Sequence, residues 1–107
     1  MFLSRTPSIA PAEARERQRR GDLLLVDVRE PGEVAAARIP GARSIPLDQL
    51  GDRLGELDSE KTVAFVCRSG ARSGRAAKAA AKVGLDAVNV SGGLMGWTRD
   101  GLPVKRG

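Results

Sequence analysis

The chain has 107 residues, a single cysteine, no histidine and a formal net charge of +5. A lone cysteine excludes an internal disulfide, and the missing histidine removes the usual zinc-ligand sets. No apolar run approaches the ~20 residues of a membrane span. The positive charge reads as a soluble basic surface or, more sharply, as attraction of small anions; the basic residues are scattered without interleaved aromatics, which argues against nucleic acid.

A chain of this length is one domain by size, and folding it buries roughly 65% of its unfolded surface. The core must draw on Leu, Val, Ile and Ala, because there are only two Phe, one Trp and no Tyr. Met1 to Arg5 is too short for the apolar region of a signal peptide, so a cytoplasmic location is expected.

An edge strand is expected around Phe2 to Thr6. Pro11 at a first helical position and Glu13 in the first turn predict a helix from Pro11 to Arg20, closed by Gly21. Its N-cap, Ala10, is a poor one. Arg15, Arg17, Arg19 and Arg20 read as a solvated face. Leu23-Leu24-Leu25-Val26 is apolar on both faces, as an interior strand of a parallel sheet is. Asp27 and Arg29 follow its end. Pro31 opens a short helix through Ala37. Pro40-Gly41 is a turn, Arg43 to Ile45 a short strand, and Pro46 ends it. Leu47, Leu50, Leu54 and Leu57 form one helical face, which Gly51 and Gly55 weaken and can split into short turns.

Val63 to Val66 is a buried β-branched and aromatic strand that ends at Cys67. A loop of small and basic residues follows, then an Ala-rich helix expected from Gly74 to Val83. Ala76, Ala79, Ala80 and Val83 give it an apolar face, with Arg75, Lys78 and Lys82 opposite and Gly84 as the stop. Ala87 to Val90 is another strand, Ser91-Gly92-Gly93 a turn, and Leu94 to Thr98 a helical turn carrying a core Trp97. Leu102-Pro103-Val104 reads as ordered and the basic residues after it as frayed. Strands alternating with helices define an α/β fold with right-handed crossovers. In such sheets ligands bind beyond the strand C-termini, so Asp27, Cys67 and Ser91 should share one rim.

The order strand, Cys67, small-residue loop, helix presents backbone N–H groups and a helix N-terminus to the sulfur. That favours the thiolate and a bound oxyanion together. With no histidine to act as base, Cys67 must take a low pKa from backbone dipoles and arginines. Ser69, Gly70, Ala71 and Ser73 are read as suppliers of N–H groups rather than of side-chain chemistry, and Gly70 of a φ that other residues avoid. Arg68 suits steering of an anion. Arg72 suits multidentate contact with a sulfonate-like group, or a salt bridge to Asp27 or a nearby Glu that holds the loop. Asp27 and Arg29 are read as supporting residues that tie the strand end to neighbouring loops.

Four stretches in order resemble the rhodanese family: Leu25-Val26-Asp27-Val28-Arg29-Glu30-Pro31; Arg38-Ile39-Pro40-Gly41-Ala42 with Ile45-Pro46-Leu47; Cys67-Arg68-Ser69-Gly70-Ala71-Arg72; and Ser91-Gly92-Gly93 through Trp97 to Gly101-Leu102-Pro103-Val104. Arg38 stands where many members carry histidine. The resemblance implies a single rhodanese domain over residues 1–107, its core at about 10–104, with a three-layer fold: a small five-stranded parallel sheet and helices on both faces. It implies thiosulfate sulfurtransferase activity without metal or organic cofactor. Sulfane sulfur passes from thiosulfate or a similar anionic donor to cyanide, a thiol or a protein acceptor through a Cys67 persulfide. A persulfide carrier or protein-interaction module is the alternative. A rhodanese-like phosphatase or arsenate reductase fits less well, because their loops hold five residues between cysteine and arginine and this one holds four.

Overall fold

A computed structural model describes residues 6–107. The apolar runs form two of the inner strands, β2 (Leu23–Asp27) and β5 (Thr62–Val66), paired in parallel over five residues. Around them lie β1 (Ser8–Ile9), β4 (Arg43–Ser44) and β6 (Ala87–Val90), in the order β1-β6-β5-β2-β4, and every pairing is parallel. The expectation of an edge strand at Phe2 to Thr6 falls on residues mostly outside those described; among the described residues the edge is Ser8–Ile9.

Period-two alternation divides the core. Val63, Phe65 and Cys67 face one side of the sheet with Val26 and Val28, against Ala76, Ala77 and Ala80 of α4 (Ala71–Lys82) and Leu50 of α3 (Leu47–Arg53). Ala64 and Val66 face the other side with Leu23 and Leu25, against Ala14 of α1 (Pro11–Arg20) and Trp97 of α5 (Gly93–Arg99). Trp97 is fully buried, and its indole N–H donates to the Pro103 carbonyl at 2.8 Å, which satisfies the one polar atom it takes inside. A short helix, α2 (Pro31–Ala36), follows β2.

Several boundaries follow expectation for the expected reason. Pro11 opens α1, and Gly21 closes it at φ +83°, its N–H bonding to the Arg17 and Gln18 carbonyls. Within the leucine segment, α3 stops at Arg53 and a single 3-10 turn, Leu54–Glu56, replaces its last turn. The four leucines still face the same core cluster.

Two expectations are corrected. α4 begins at Ala71, not Gly74, so its buried stripe runs Ser73, Ala76, Ala77 and Ala80. Ala79 is exposed, and Val83 is 64% exposed at the helix's C-terminal boundary. The phase is set by Ser73, which turns inward beneath Cys67. The basic end is not frayed: β7 (Lys105–Arg106) pairs antiparallel with β3 (Ala37–Arg38). Alternation of apolar and polar residues carries no signal in a two-residue ribbon, so the sequence does not announce it.

Candidate active site

Cys67 follows the last residue of β5, in the middle of the sheet, and is 1% exposed. The chain turns over residues 67–70 and enters α4 through Gly70 at φ +118°, a backbone state that a side chain would strain. This turn aims the Gly70 N–H at Cys67 Sγ, 3.0 Å away. Burial pushes the thiol pKa up. Hydrogen bonds from the Ser73 hydroxyl and from the N–H groups of Ser73, Gly70 and Ser69 pull it down, and the balance lies below the ordinary cysteine value. Backbone N–H groups are thus among the causes that lower it, as the local order of strand, cysteine, loop and helix leads one to expect. Arginine is not among the leading causes.

Ser73 corrects a second reading, since its side chain takes part as well as its N–H. Its Oγ lies 3.3 Å from Sγ and 2.6 Å from Asn89 Oδ1. Asn89 Nδ2 donates to the Gly70 carbonyl at 3.0 Å, which fixes the amide with its oxygen toward Ser73. A hydroxyl has one proton to give. When Cys67 is a thiol, its S–H can donate to Ser73 Oγ while Ser73 donates to Asn89. When Cys67 is a thiolate, the hydroxyl proton serves the sulfur. In Ser73→Ala the pH midpoint for iodoacetamide alkylation of Cys67 should therefore rise above that of the wild-type protein. An unchanged midpoint would leave the backbone as the sole source of activation. Asn89 was not among the candidate residues. The signal for it is a carboxamide between Val88 and Val90, in a strand whose two faces are both covered.

The loop's other face is held by α5. Leu94 N–H donates to the Cys67 carbonyl at 2.8 Å and Met95 N–H to the Arg68 carbonyl at 3.1 Å. Two carbonyls are thus engaged behind the loop while the N–H groups stay on the sulfur side. The approach is closest at Gly93, φ +60°, where a Cβ would fall 2.5 Å from the Arg68 carbonyl oxygen and 2.6 Å from that of Cys67.

Arg72 takes the salt-bridge arrangement. Its Nη1 and Nη2 donate to Glu33 Oε1 and Oε2 at 2.7 and 3.0 Å. The partner is Glu33 of α2, not Asp27. Glu33 Oε1 also accepts the Glu30 N–H at 2.9 Å, so one carboxylate caps α2 and clamps the Cys67 loop. The Arg72 hydrogen bonds hold the Glu33 carboxyl at about 2, against an ordinary 4.5. Arg72 is correspondingly raised. A carboxyl depressed on folding contributes stability that is present above its unfolded pKa and is lost as pH falls through its folded one. Glu33→Gln should accordingly flatten the stability curve between pH 4.5 and about 2, measured by urea unfolding at several pH values. A curve parallel to wild type would mean that the clamp is open in solution.

Asp27 and Arg29 form a second, buried pair. Arg29 Nε donates to Asp27 Oδ1 at 3.0 Å and Nη2 to Oδ2 at 2.8 Å, while Nη2 also reaches the Ala37 carbonyl at 2.6 Å. This pair ties the end of β2 to β3. Arg68 is exposed, and among the described residues it has no ion pair. It is the loop's available cation. Ala71 opens α4, and the N–H groups that lower the Cys67 pKa are those of its neighbours Ser69, Gly70 and Ser73. Ser91, on the same rim, follows β6 and is exposed.

A buried cysteine sulfur held among N–H donors beyond the central strand of a parallel sheet is a candidate site for cysteine-dependent group transfer. The Rhodanese-like domain family matches residues 10–100. A sulfurtransferase of Allochromatium vinosum is 40% identical over 84 residues, covering 78% of each chain. The putative sulfurtransferase YtwF of Bacillus subtilis is 40% identical over 82 residues, covering 77% of this chain and 80% of that protein. The crystal structure of a rhodanese-related protein from Thermoplasma volcanium superposes with a TM-score of 0.86 at 32% identity, covering 92% of this chain and 97% of that one. The chain belongs to the rhodanese-like family, whose members here include named sulfurtransferases.

Proposed function

We propose that this chain is a thiosulfate sulfurtransferase that works through a Cys67 persulfide. The Cys67 thiolate attacks the outer sulfur of thiosulfate. The S–S bond of the donor breaks, sulfite leaves with the electron pair, and Cys67 carries a persulfide anion. A thiophilic acceptor, cyanide or a thiol, then attacks the outer sulfur and restores the thiolate. Charge balances in both steps, and the kinetics are ping-pong. The observation that carries this reading is the sulfur itself, held among N–H donors with its pKa lowered despite burial. The same donors stabilise the persulfide anion that replaces the thiolate. Arg68, which carries no ion pair, supports capture of a dianionic donor. Arg72 acts chiefly by holding the loop through Glu33, and its guanidinium adds positive charge near the donor.

The reading extends to a single rhodanese domain over residues 1–107, acting in the cytoplasm, needing no cofactor and binding neither nucleic acid nor membrane. In support, among the described residues no helix is long and apolar enough to cross a membrane. The test is intact mass after incubation with thiosulfate. One added sulfur atom, removed by a reductant, is the expected result. An unchanged mass would reject the persulfide, and with it the donor.

A further inference from the structure

Ser73 is fully buried, and its hydroxyl lies between two acceptors, Cys67 Sγ at 3.3 Å and Asn89 Oδ1 at 2.6 Å. A hydroxyl donates once, so the two compete for one proton. The amide cannot yield by turning over. Its Nδ2 donates to the Gly70 carbonyl at 3.0 Å, and a flipped amide would set oxygen against oxygen there. The loop leaves room for this arrangement: a Cβ on Gly74 would lie 3.3 Å from Nδ2, and one on Gly70 3.8 Å from it. The Gly70 carbonyl does not depend on Asn89 alone, because the Gly74 N–H also donates to it at 3.0 Å.

Each state of the sulfur makes a different demand on the Ser73 proton. A thiol donates its own proton to Ser73 Oγ, and the hydroxyl then serves Asn89. A thiolate takes the hydroxyl proton and leaves Asn89 Oδ1 without it. In a persulfide the charge sits on the outer sulfur and the inner one is a weak acceptor, so the hydroxyl serves Asn89 again. The bond to Asn89 is therefore made beside a thiol or a persulfide and lost beside a thiolate. An amide oxygen that loses its donor inside a protein carries a cost, and here only the thiolate incurs it.

We propose that Asn89 is a positioning residue for sulfur transfer, holding the Ser73 proton while the inner sulfur is uncharged and giving it up when charge returns there. The inference rests on the persulfide chemistry proposed above. On loading, a bond forms from Cys67 Sγ to the outer sulfur of the donor, the donor S–S bond breaks, and sulfite leaves with the electron pair. No proton changes molecule; the Ser73 O–H turns from Sγ to Asn89 Oδ1. On unloading it turns back as Cys67 departs as the thiolate. Asn89 thus favours the loaded state and restrains the thiolate that the N–H groups favour. Among the described residues, the charged groups that the fold brings to the loop are Arg72 with Glu33 behind it, the Asp27–Arg29 pair, Arg68, and Arg99 of α5. The chain has no histidine and no second thiol, so no other side chain titrates alongside Cys67 in the neutral range.

The test is the pH midpoint for iodoacetamide alkylation of Cys67 in the full chain, in Asn89→Val, in Ser73→Ala and in the double variant. Valine suits a strand and offers neither donor nor acceptor. Asn89→Val should lower the midpoint by about 0.5–1 in pH, the worth of one hydrogen bond, whereas Ser73→Ala raises it. In the Ser73→Ala background Asn89→Val should change nothing, because no hydroxyl is left to contest. A residue that only braced the loop through Gly70 would behave otherwise: its loss would raise the midpoint, and in both backgrounds. That result, or an unchanged midpoint in Asn89→Val, overturns the proposal. Asn89→Asp keeps an acceptor beside Ser73 and should hold the midpoint at or above the wild-type value; a lowered one overturns the proposal even where Asn89→Val fails to fold. Sulfite titration of the thiosulfate-loaded protein, followed by intact mass, reads the sulfur-transfer side. Asn89→Val should surrender its persulfide at about three- to tenfold less sulfite than wild type. An equal requirement overturns the role in transfer. If the wild-type protein forms no persulfide but the midpoints shift in opposite directions, the hold of Asn89 on the proton stands and the donor chemistry falls.

Discussion

In Cys67→Ser, transfer of sulfur from thiosulfate to cyanide falls by about four orders of magnitude or more, as removal of a covalent nucleophile requires. The chain has no second thiol to take over. A serine hydroxyl at this position meets the same N–H donors, but its pKa is far too high for those donors to ionise it. Stability should change by no more than about 1 kcal/mol, because the substitution is close to isosteric and the oxygen accepts the Gly70 N–H in place of sulfur. The assay is cyanide-dependent thiocyanate formation, with urea unfolding as the control. Substantial turnover in a folded Cys67→Ser protein would exclude covalent transfer.

In Gly93→Ala, the thiol loses its activation although no residue that touches the sulfur has changed. The added methyl group would lie 2.5 Å from the Arg68 carbonyl oxygen, and the backbone at φ +60° disfavours any side chain. The backbone strain costs about 1–3 kcal/mol, and the steric overlap about 1–3 kcal/mol more. The obstructing atoms are backbone, so the conflict cannot be relieved by a rotamer change. Either α5 withdraws, releasing the Cys67 and Arg68 carbonyls from Leu94 and Met95, or the loop shifts. Both outcomes move N–H groups off the sulfur. Displacements on the order of 1 Å in a positioned site can cost roughly 10²-fold in rate. The alkylation midpoint should rise toward the free-thiol value of ~8.5, and the unfolding midpoint should fall. A Gly93→Ala protein with wild-type stability and a wild-type alkylation profile would show that α5 does not press on the loop.

These two residues differ in how visible they are without coordinates. Cys67 is legible because nucleophile chemistry needs a particular residue type in a particular local order. The end of a buried strand, a cysteine, small residues and a helix are consecutive in the chain. The positive φ at Gly70 is legible for the same local reason. In the sequence Gly93 reads only as part of a turn. Its importance comes from a contact with residues 67 and 68, which are distant in the chain and reach it only because β5 and β6 are neighbours in the sheet.

The fold class, the interior strands, α1 with its proline start and glycine stop, and Cys67 as the one candidate nucleophile were all determined by the sequence alone. Periodicity, β-branching and capping are short-range properties that a chain carries before it folds. Tertiary structure decided the rest. It moved the start of α4 to Ala71 and rotated its buried face so that Ser73, not Val83, lies inward. It paired the basic tail with β3, chose Glu33 rather than Asp27 as the partner of Arg72, and brought Asn89 beneath Ser73. Each of these is a pairing between residues far apart in sequence. A side chain's chemistry fixes which partners it can accept; only the packing of strands and helices brings one of them within hydrogen-bonding distance.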